Sequence, residues 1–431
     1  MTRGKGSNSD AAERLRAGLR PAPVETRMLL TMAPFGSRSK ALLVHPPSGT
    51  PPRTMSKTAT ANVDPTSLDE RRQKAIRRNL LAWFDRHARV LPWRTSSRDP
   101  YAVWVSEIML QQTRVSTVVP YFERFLEKFP NVTRLAEAEL DDVLAAWSGL
   151  GYYRRARALH AAARQLHERG EATLPGDFDA LLKLSGIGQY TAAAIASMAF
   201  GQPVAVVDGN VLRVLARITA DDGPIEATST QRRIRAVADS LVGPDRPGSL
   251  NEAMMELGAI VCTPTSPTCL TCPIRKLCGA HRDGLVDKLP VTTKKKASPR
   301  VRLVAFVLTH EDRVLMCRRR EDGLFGGLWE PPMVEAPSSS YEQRLASQVG
   351  GKAVRMRGKV EHVLTHRVLE VVVMRWSVDR SPPEVVIPQG YERAAWVCPS
   401  ERASLGVSTL ANKVLVRGGE DSGGPEKRRA T

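Results

Sequence analysis

Two carboxylates stand where an acid and a stabilising anion could share one task. Glu107 lies in Val103-Trp104-Val105-Ser106-Glu107-Ile108-Met109-Leu110. If this stretch is helical, Val103, Trp104 and Leu110 share a face with Glu107, because residues three and four apart are helix neighbours. Burial on that face raises a carboxyl's pKa and keeps it protonated near neutral pH as a general acid. The alternative is a helix-edge Glu held by a salt bridge to Arg94 or Arg114. Asp208 ends the apolar run Val204-Ala205-Val206-Val207 and precedes Gly209 and Asn210, after which Val211, Leu212, Val214, Leu215 and Ile218 keep helical spacing. Asp208 or Asn210 could be only an N-cap there. A carboxylate at that place is equally well sited to stabilise a nearby cation. An acid for the leaving group and a carboxylate for an oxocarbenium-like sugar are what glycosidic cleavage requires.

Cys262, Cys269, Cys272 and Cys278 follow the spacing Cys-x6-Cys-x2-Cys-x5-Cys. A loop this short can wrap one metal centre, and Pro264, Pro267 and Pro273 would stiffen it. Thiolate sets serve zinc or iron–sulfur clusters. Zinc sites more often use two paired knuckles, and only Cys269 and Cys272 form one here. The remaining cysteines, Cys317 and Cys398, are isolated and read as small buried hydrophobes.

These groups need elements to hold them. Residues 178–183 read as a helix, Leu184-Ser185-Gly186-Ile187-Gly188 as a tight turn, and 189–200 as a second helix. Gly186 and Gly188 would admit backbone angles closed to other residues and expose amides at a helix start, where phosphate binds. A plain αα-corner fits the same residues. The whole span 68–285 has helical periodicity, as in Leu80, Leu81, Trp83 and Phe84, or Leu135, Leu140, Val143, Leu144 and Trp147. Beyond a basic linker at 286–300, the runs 301–308, 314–317 and 369–376 read as strands and 341–349 as a helix, so 301–416 is a separate α+β domain. Residues 1–65, rich in Pro, Ser, Thr, Ala and Arg, read as a disordered extension, and 417–431 as a flexible tail. Met55 would serve equally well as a start.

The net charge is +18, with 63 Lys and Arg against 45 Asp and Glu, which points to a polyanionic partner. Residues 1–60 carry ten of the bases and three of the acids, so the rest stays basic. No apolar run approaches the roughly 20 residues that span a bilayer. A cytoplasmic chain is expected, nucleoid-associated if bacterial, and its cysteines are not expected to form disulfides.

Taken together, Leu91-Pro92-Trp93-Arg94, Ser106-Glu107-Ile108-Met109-Leu110-Gln111-Gln112-Thr113, Gly149-Leu150-Gly151-Tyr152-Tyr153, Asp208-Gly209-Asn210, Asn251-Glu252-Ala253-Met254-Met255 and the cysteine loop resemble the adenine DNA glycosylase (MutY) family over about 68–399. The turn at Gly186 and Gly188 then resembles its helix-hairpin-helix, with Ser185 where proline is usual. The resemblance implies a two-lobed helical glycosylase core with an iron–sulfur loop, plus a C-terminal Nudix-like domain. It implies removal of adenine from A:8-oxoguanine or A:G mispairs in double-stranded DNA by a monomer. Glu107 would protonate the adenine and Asp208 stabilise the oxocarbenium, with Asn210 and Tyr190 around them. Tyr190 replaces the Schiff-base Lys of the bifunctional endonuclease III relatives, implying base removal without strand cleavage. Trp93, Arg94 and Glu252 would line the adenine pocket. Gln112, Thr113, Leu150 and Tyr152 would probe the opposite base and wedge the stack. The four cysteines would hold a [4Fe–4S] cluster as a brace, with Arg275 and Lys276 facing phosphate.

Phe325-Gly326-Gly327-Leu328-Trp329-Glu330 resembles the start of that family's MutT-like domain. Leu364-Thr365-His366 takes the lesion-reading place usually held by Phe-Ser-His, so Thr365 and His366 would read the lesion. The helix at 341–347 lacks the acidic cluster of a Nudix hydrolase, so no nucleotide hydrolysis is expected. Two other readings compete: an endonuclease III-like glycosylase/lyase on oxidised pyrimidines, and a noncatalytic DNA-binding protein.

Overall fold

The computed structural model describes residues 68–293, 297–382 and 384–420. All lie in one unit, Asn62–Thr431. The extension expected at 1–65 falls outside the described residues, as do 294–296 of the linker and 421–431 of the tail.

The first half is helical. α1 (Glu70–His87) starts at Asp69, whose carboxylate accepts from the Arg72 N–H at 2.7 Å, and it buries Ile76, Leu80, Trp83 and Phe84. α2 (Pro100–Leu110) opens with proline, whose missing N–H is harmless in the first turn, and Asp99 caps it through the Tyr101 N–H. Next come α3 (Val115–Lys128), α4 (Val132–Ala136), α5 (Leu140–Ala146) and α6 (Arg154–Glu168). α7 (Phe178–Leu182) and α8 (Gln189–Met198) flank the expected tight turn. α9 (Gly209–Thr219), α10 (Thr228–Leu241), α11 (Pro247–Ile260) and α12 (Gly279–Arg282) complete this half, the cysteine loop lying before α12.

Two apolar cores make two lobes. One gathers residues from Leu91 to Val206, including Trp104, Phe125 and Trp147. The other joins α1 to residues from Ala205 to Ile274. The chain crosses between lobes at Ala205 and Val206, which are buried in opposite cores. Met255 packs against both, so the seam runs beside α11.

The second half is a sheet with helices on its faces. β1 (Arg300–His310) begins inside the expected linker and pairs in parallel with β7 (Val368–Ser377), Val304 opposite Val372. β2 (Arg313–Arg319), β3 (Trp329–Glu330), β4 (Met333–Glu335), β5 (Lys352–Arg355), β6 (Val360–Val363) and β8 (Tyr391–Val397) add antiparallel neighbours, in the order β3-β2-β1-β7-β5, with β4 on β1, β6 on β7 and β8 on β2. Alternation along β1 sends Ala305 and Val307 to one core and Phe306 and Leu308 to the other. α15 (Thr409–Arg417) covers the first face and α13 (Ser339–Val349) the second, with α14 (Pro399–Ala403) between them in sequence.

The two domains share a joint. The Ser148 and Tyr153 hydroxyls both donate to the Val407 carbonyl, at 2.8 and 2.9 Å. Leu328 is buried in the first helical core, and Arg157 donates to the Glu321 carbonyl at 2.6 Å. The mainly helical, two-lobed core with a C-terminal α+β domain is the architecture expected from the sequence.

Candidate active site

A cavity of about 230 Å³ opens on the seam between the lobes. α2 brings Glu107, α8 brings Tyr190, the start of α9 brings Asp208 and Asn210, and α11 brings Glu252, Met255 and Glu256. Trp93 and Arg94 reach it from the loop before α2. Glu107 is 5% exposed, and the Tyr190 hydroxyl donates to its Oε2 at 2.6 Å. Burial pushes this carboxyl up to about 7. The Tyr190 hydrogen bond pulls it down, and the charges of Asp208 and Glu252 push it further up. Neither Arg94 nor Arg114 is its salt-bridge partner: Arg94 pairs with Glu252 at 2.8 Å and Glu256 at 3.3 Å.

Asp208 is both an N-cap and a cavity residue. Its Oδ1 accepts from the Val211 N–H at 2.7 Å and its Oδ2 from the Asn210 amide at 2.9 Å. Burial raises its pKa, and those same bonds oppose the rise. The two carboxyls are thus set apart by their surroundings. Asp208 is bonded by N–H groups at a helix start, which favour the charged form, whereas Glu107 has one hydroxyl donor and the neighbouring charges of Asp208 and Glu252, which disfavour it. Asn210 is held in turn. Arg213 donates to its Oδ1 at 2.9 Å, to the Gly258 carbonyl at 2.8 Å and to the Cys262 carbonyl at 2.9 Å. A Cβ at Gly258 would stand 2.7 Å from that of Asn210, so glycine lets α11 close on α9.

An alternating ladder of charge lines one wall. Arg89 meets Glu256 at 2.6 Å, Arg94 bridges Glu256 and Glu252, and Arg98 meets Glu252 at 2.5 Å. The sequence reading placed Arg94 and Glu252 here but passed over Arg89, Arg98 and Glu256. The spacing of Glu252 and Glu256, one helical turn apart on a buried helix, was the available signal.

A second, larger cleft of about 870 Å³ lies between the domains, lined by Gln112, Tyr152, His362, Thr365 and His366 among others. The Tyr152 and Thr365 hydroxyls are 3.2 Å apart. Gln112 (φ 57°) and Tyr152 (φ 50°) both hold left-handed backbone, which costs non-glycine residues about 1–3 kcal/mol each. Two expected members are elsewhere. Leu150 is 6% exposed in the first core, its side chain taken up by packing. Thr113 lines the inner cavity instead.

Arg155, which sequence motifs did not single out, ties the two openings together. Its guanidinium donates to the carbonyls of Ile108 (2.7 Å), Met109 (2.9 Å), Gln111 (2.7 Å) and Gly151 (3.1 Å), and to the Thr113 hydroxyl (3.2 Å). It also lies 5.4 Å from the ring centres of both Trp147 and Tyr152. It therefore caps the C-terminal end of the Glu107 helix and holds both left-handed residues in one clamp.

In the hairpin, Gly186 has φ 71° and packs where a Cβ would stand 2.3 Å from that of Ala158. Gly188 departs from expectation: its φ of −92° is open to any residue. A Cβ there would meet nothing within 4 Å, which leaves the α8 amides open to a ligand. The Ser185 N–H, which a proline would lack, donates to the Gln165 side chain at 2.9 Å.

Cys262, Cys269, Cys272 and Cys278 line one hollow together with Arg217 and Arg275, all four half-buried and free of disulfides. Arg217 donates to the Cys262 sulfur at 3.3 Å. Lys276 is exposed, whereas Arg275 turns toward the hollow. Among the described residues no three or more His, Cys, Asp or Glu form a single-ion site. Cys317 is buried in the sheet and Cys398 partly exposed. No helix among the described residues is long and apolar enough to cross a membrane.

Residues 105–239 match the HhH-GPD superfamily of base excision DNA repair proteins, and 303–417 match the NUDIX domain. The adenine DNA glycosylase of Mus musculus is 37% identical over 401 residues, covering 79% of this chain and 77% of that protein. The Homo sapiens enzyme is 35% identical over 403 residues, covering 79% and 73%. That of Schizosaccharomyces pombe is 30% identical over 425 residues, covering 82% and 91%. A likeness that runs through both domains at this level is one of descent, and the chain belongs to the adenine DNA glycosylase family.

Proposed function

We propose that this chain, an N-glycosylase of base excision repair, removes adenine mispaired with 8-oxoguanine or guanine in double-stranded DNA, acting as a monomer without cutting the strand. The observation that carries this is the pair of carboxylates on one cavity with opposed surroundings. Glu107, raised to about 7, keeps a proton for the adenine ring. Asp208, bonded at the start of α9, supplies negative charge to the oxocarbenium sugar. Trp93, Arg94 and Glu252 line the space for the extruded base. Tyr190 has no amine to attack the sugar, so the reaction ends in hydrolysis. The second cleft reads the opposite base, with Gln112 and Tyr152 entering the stack and Thr365 and His366 meeting the lesion. The exposed turn at Gly186 and Gly188 takes a phosphate.

The four thiols fit a [4Fe–4S] cluster: they are sulfur donors around one hollow, with Arg217 donating to a sulfur as neighbours of thiolate clusters do. Bound there, the cluster supplies structural bracing and no step of base removal. Iron analysis should give about four irons per chain. A cytoplasmic or nucleoid location suits such an enzyme.

The test is a duplex carrying one A:8-oxoguanine pair. Adenine is released, and strand breaks appear only after alkali. Breaks without alkali, or a DNA adduct trapped by borohydride, would favour the glycosylase/lyase reading instead.

A further inference from the structure

A groove of about 1010 Å³ runs over the C-terminal domain, outside both openings described above. Arg355, Arg357 and Lys359 form one wall, at the end of β5 and the turn that follows. Lys413 and Arg417, four residues apart on one face of α15, form the other. Glu361 is the one acid in this lining. All five cations are exposed; Lys359 pairs with Glu370 at 2.8 Å, whereas among the described residues Arg355 and Arg357 have no carboxylate within 4 Å. Lys413 and Arg417 bond only backbone carbonyls, those of Glu361 (3.3 Å) and Arg357 (3.2 Å), and their charge stays uncompensated. A surface of this kind suits a polyanion.

The groove continues the lesion cleft. Thr409, at the start of α15, lines both. β6 (Val360–Val363) leaves the groove and enters Leu364-Thr365-His366 directly. Lys359 stands six residues before Thr365, so an extended strand puts it at most about 20 Å away. At about 3.4 Å per nucleotide step along the axis, that is within about six base pairs.

We propose that this groove holds the phosphate backbone of the duplex flanking the lesion on one side, about three to six base pairs away. It anchors the strand while the cleft reads the opposite base. The proposal rests on the function given above, since the lesion cleft must hold the 8-oxoguanine for the groove to lie on the flank.

The test uses the full chain with the variant pairs Arg355→Glu/Arg357→Glu on one wall and Lys413→Glu/Arg417→Glu on the other. Duplexes with one A:8-oxoguanine pair carry ten base pairs on one side of it, and either ten or two on the other, with both orientations made. Wild type loses affinity when the flank on one side is cut, and in one orientation only. Each variant pair binds the long duplex at least tenfold more weakly at about 0.1 M salt. Its salt slope is shallower by about 2, from two lost phosphate contacts. On the duplex truncated in that orientation, variants and wild type bind alike. Variants that match wild type on every duplex would overturn the proposal. So would a loss that is equal at all flank lengths. Failure of wild type to release adenine would strike the proposed function instead and leave the groove's affinity data readable.

Discussion

Tyr190→Phe separates the acid from the one group that bonds it. The Tyr190 hydroxyl donates to Glu107 Oε2 at 2.6 Å in the seam between the lobes. A hydrogen bond to a charged group is worth about 1.5–3 kcal/mol. At about 1.4 kcal/mol per tenfold change, losing it raises the carboxyl by about one to two pKa values from its present position near 7. In the proposed reaction Glu107 acts in its protonated form, so the rate falls as pH rises through that value. In the variant the alkaline limb of the single-turnover excision rate should move from about 7 to about 8–9. At pH 8 the variant then holds a larger protonated fraction than wild type, whatever its absolute rate. The assay is adenine release from an A:8-oxoguanine duplex under enzyme excess, from pH 5.5 to 9.5. A limb that stays in place, or moves to lower pH, would refute the assignment of Glu107 as acid and Tyr190 as its donor.

Glu107→Gln should abolish excision yet stabilise the fold at alkaline pH. Below 4.5 the carboxyl is protonated folded or unfolded; between 4.5 and about 7 only the folded chain keeps the proton. Wild type therefore loses about 3 kcal/mol of stability across that window, and the amide does not. Urea denaturation at pH 4.5 and 8 measures the difference, and an equal gap at both pH values contradicts it. Arg155→Lys gives up the planar fork that serves six acceptors, at a cost of about 3 kcal/mol. It should lower the melting temperature of the helical domain by about 6–12 °C and slow base flipping, followed by 2-aminopurine fluorescence, at least tenfold. A variant that melts lower but flips normally would leave Arg155 a purely structural clamp. Thr365→Ala removes the hydroxyl facing Tyr152 and should reduce the preference for 8-oxoguanine over guanine about fivefold, or about 1 kcal/mol. Rates on A:8-oxoguanine and A:G duplexes measured side by side check this, and an unchanged ratio counts against Thr365 as a reader.

What was legible in the sequence followed local rules. Helical spacing put Glu107 among Val103, Trp104 and Leu110, and all lie on the cavity or the core of its lobe. Turn chemistry marked Asp208 at a helix start, and it is there. The close spacing of the cysteines foretold their common hollow. What escaped notice depends on partners distant in sequence. Arg155 reaches residues 42 to 47 positions away, which no periodicity announces. Tyr152 and Thr365 meet across 213 positions. Leu150 sits one residue from two left-handed glycines, and their geometry turns it into the core rather than toward the cleft. Gly188 belongs to a two-glycine pattern, but only Gly186 needs its unusual angle; the space beside Gly188 is visible only in three dimensions.

The joint between the domains is made in a way that frees one of them to vary. On the C-terminal side it combines main chain with a few side chains: the carbonyls of Val407 and Glu321 accept the bonds, Leu328 and Phe325 pack on the helical core, and Gly406 and Gly327 sit where a Cβ would crowd Leu144 and Arg157. A socket whose hydrogen bonds end on carbonyls depends on few side chains of the sheet, chiefly Leu328 and Phe325. The loop Leu364-Thr365-His366, away from those contacts, can therefore change while the domain keeps the same seat. Exchange of 301–416 between relatives should preserve the fit wherever those glycines are kept.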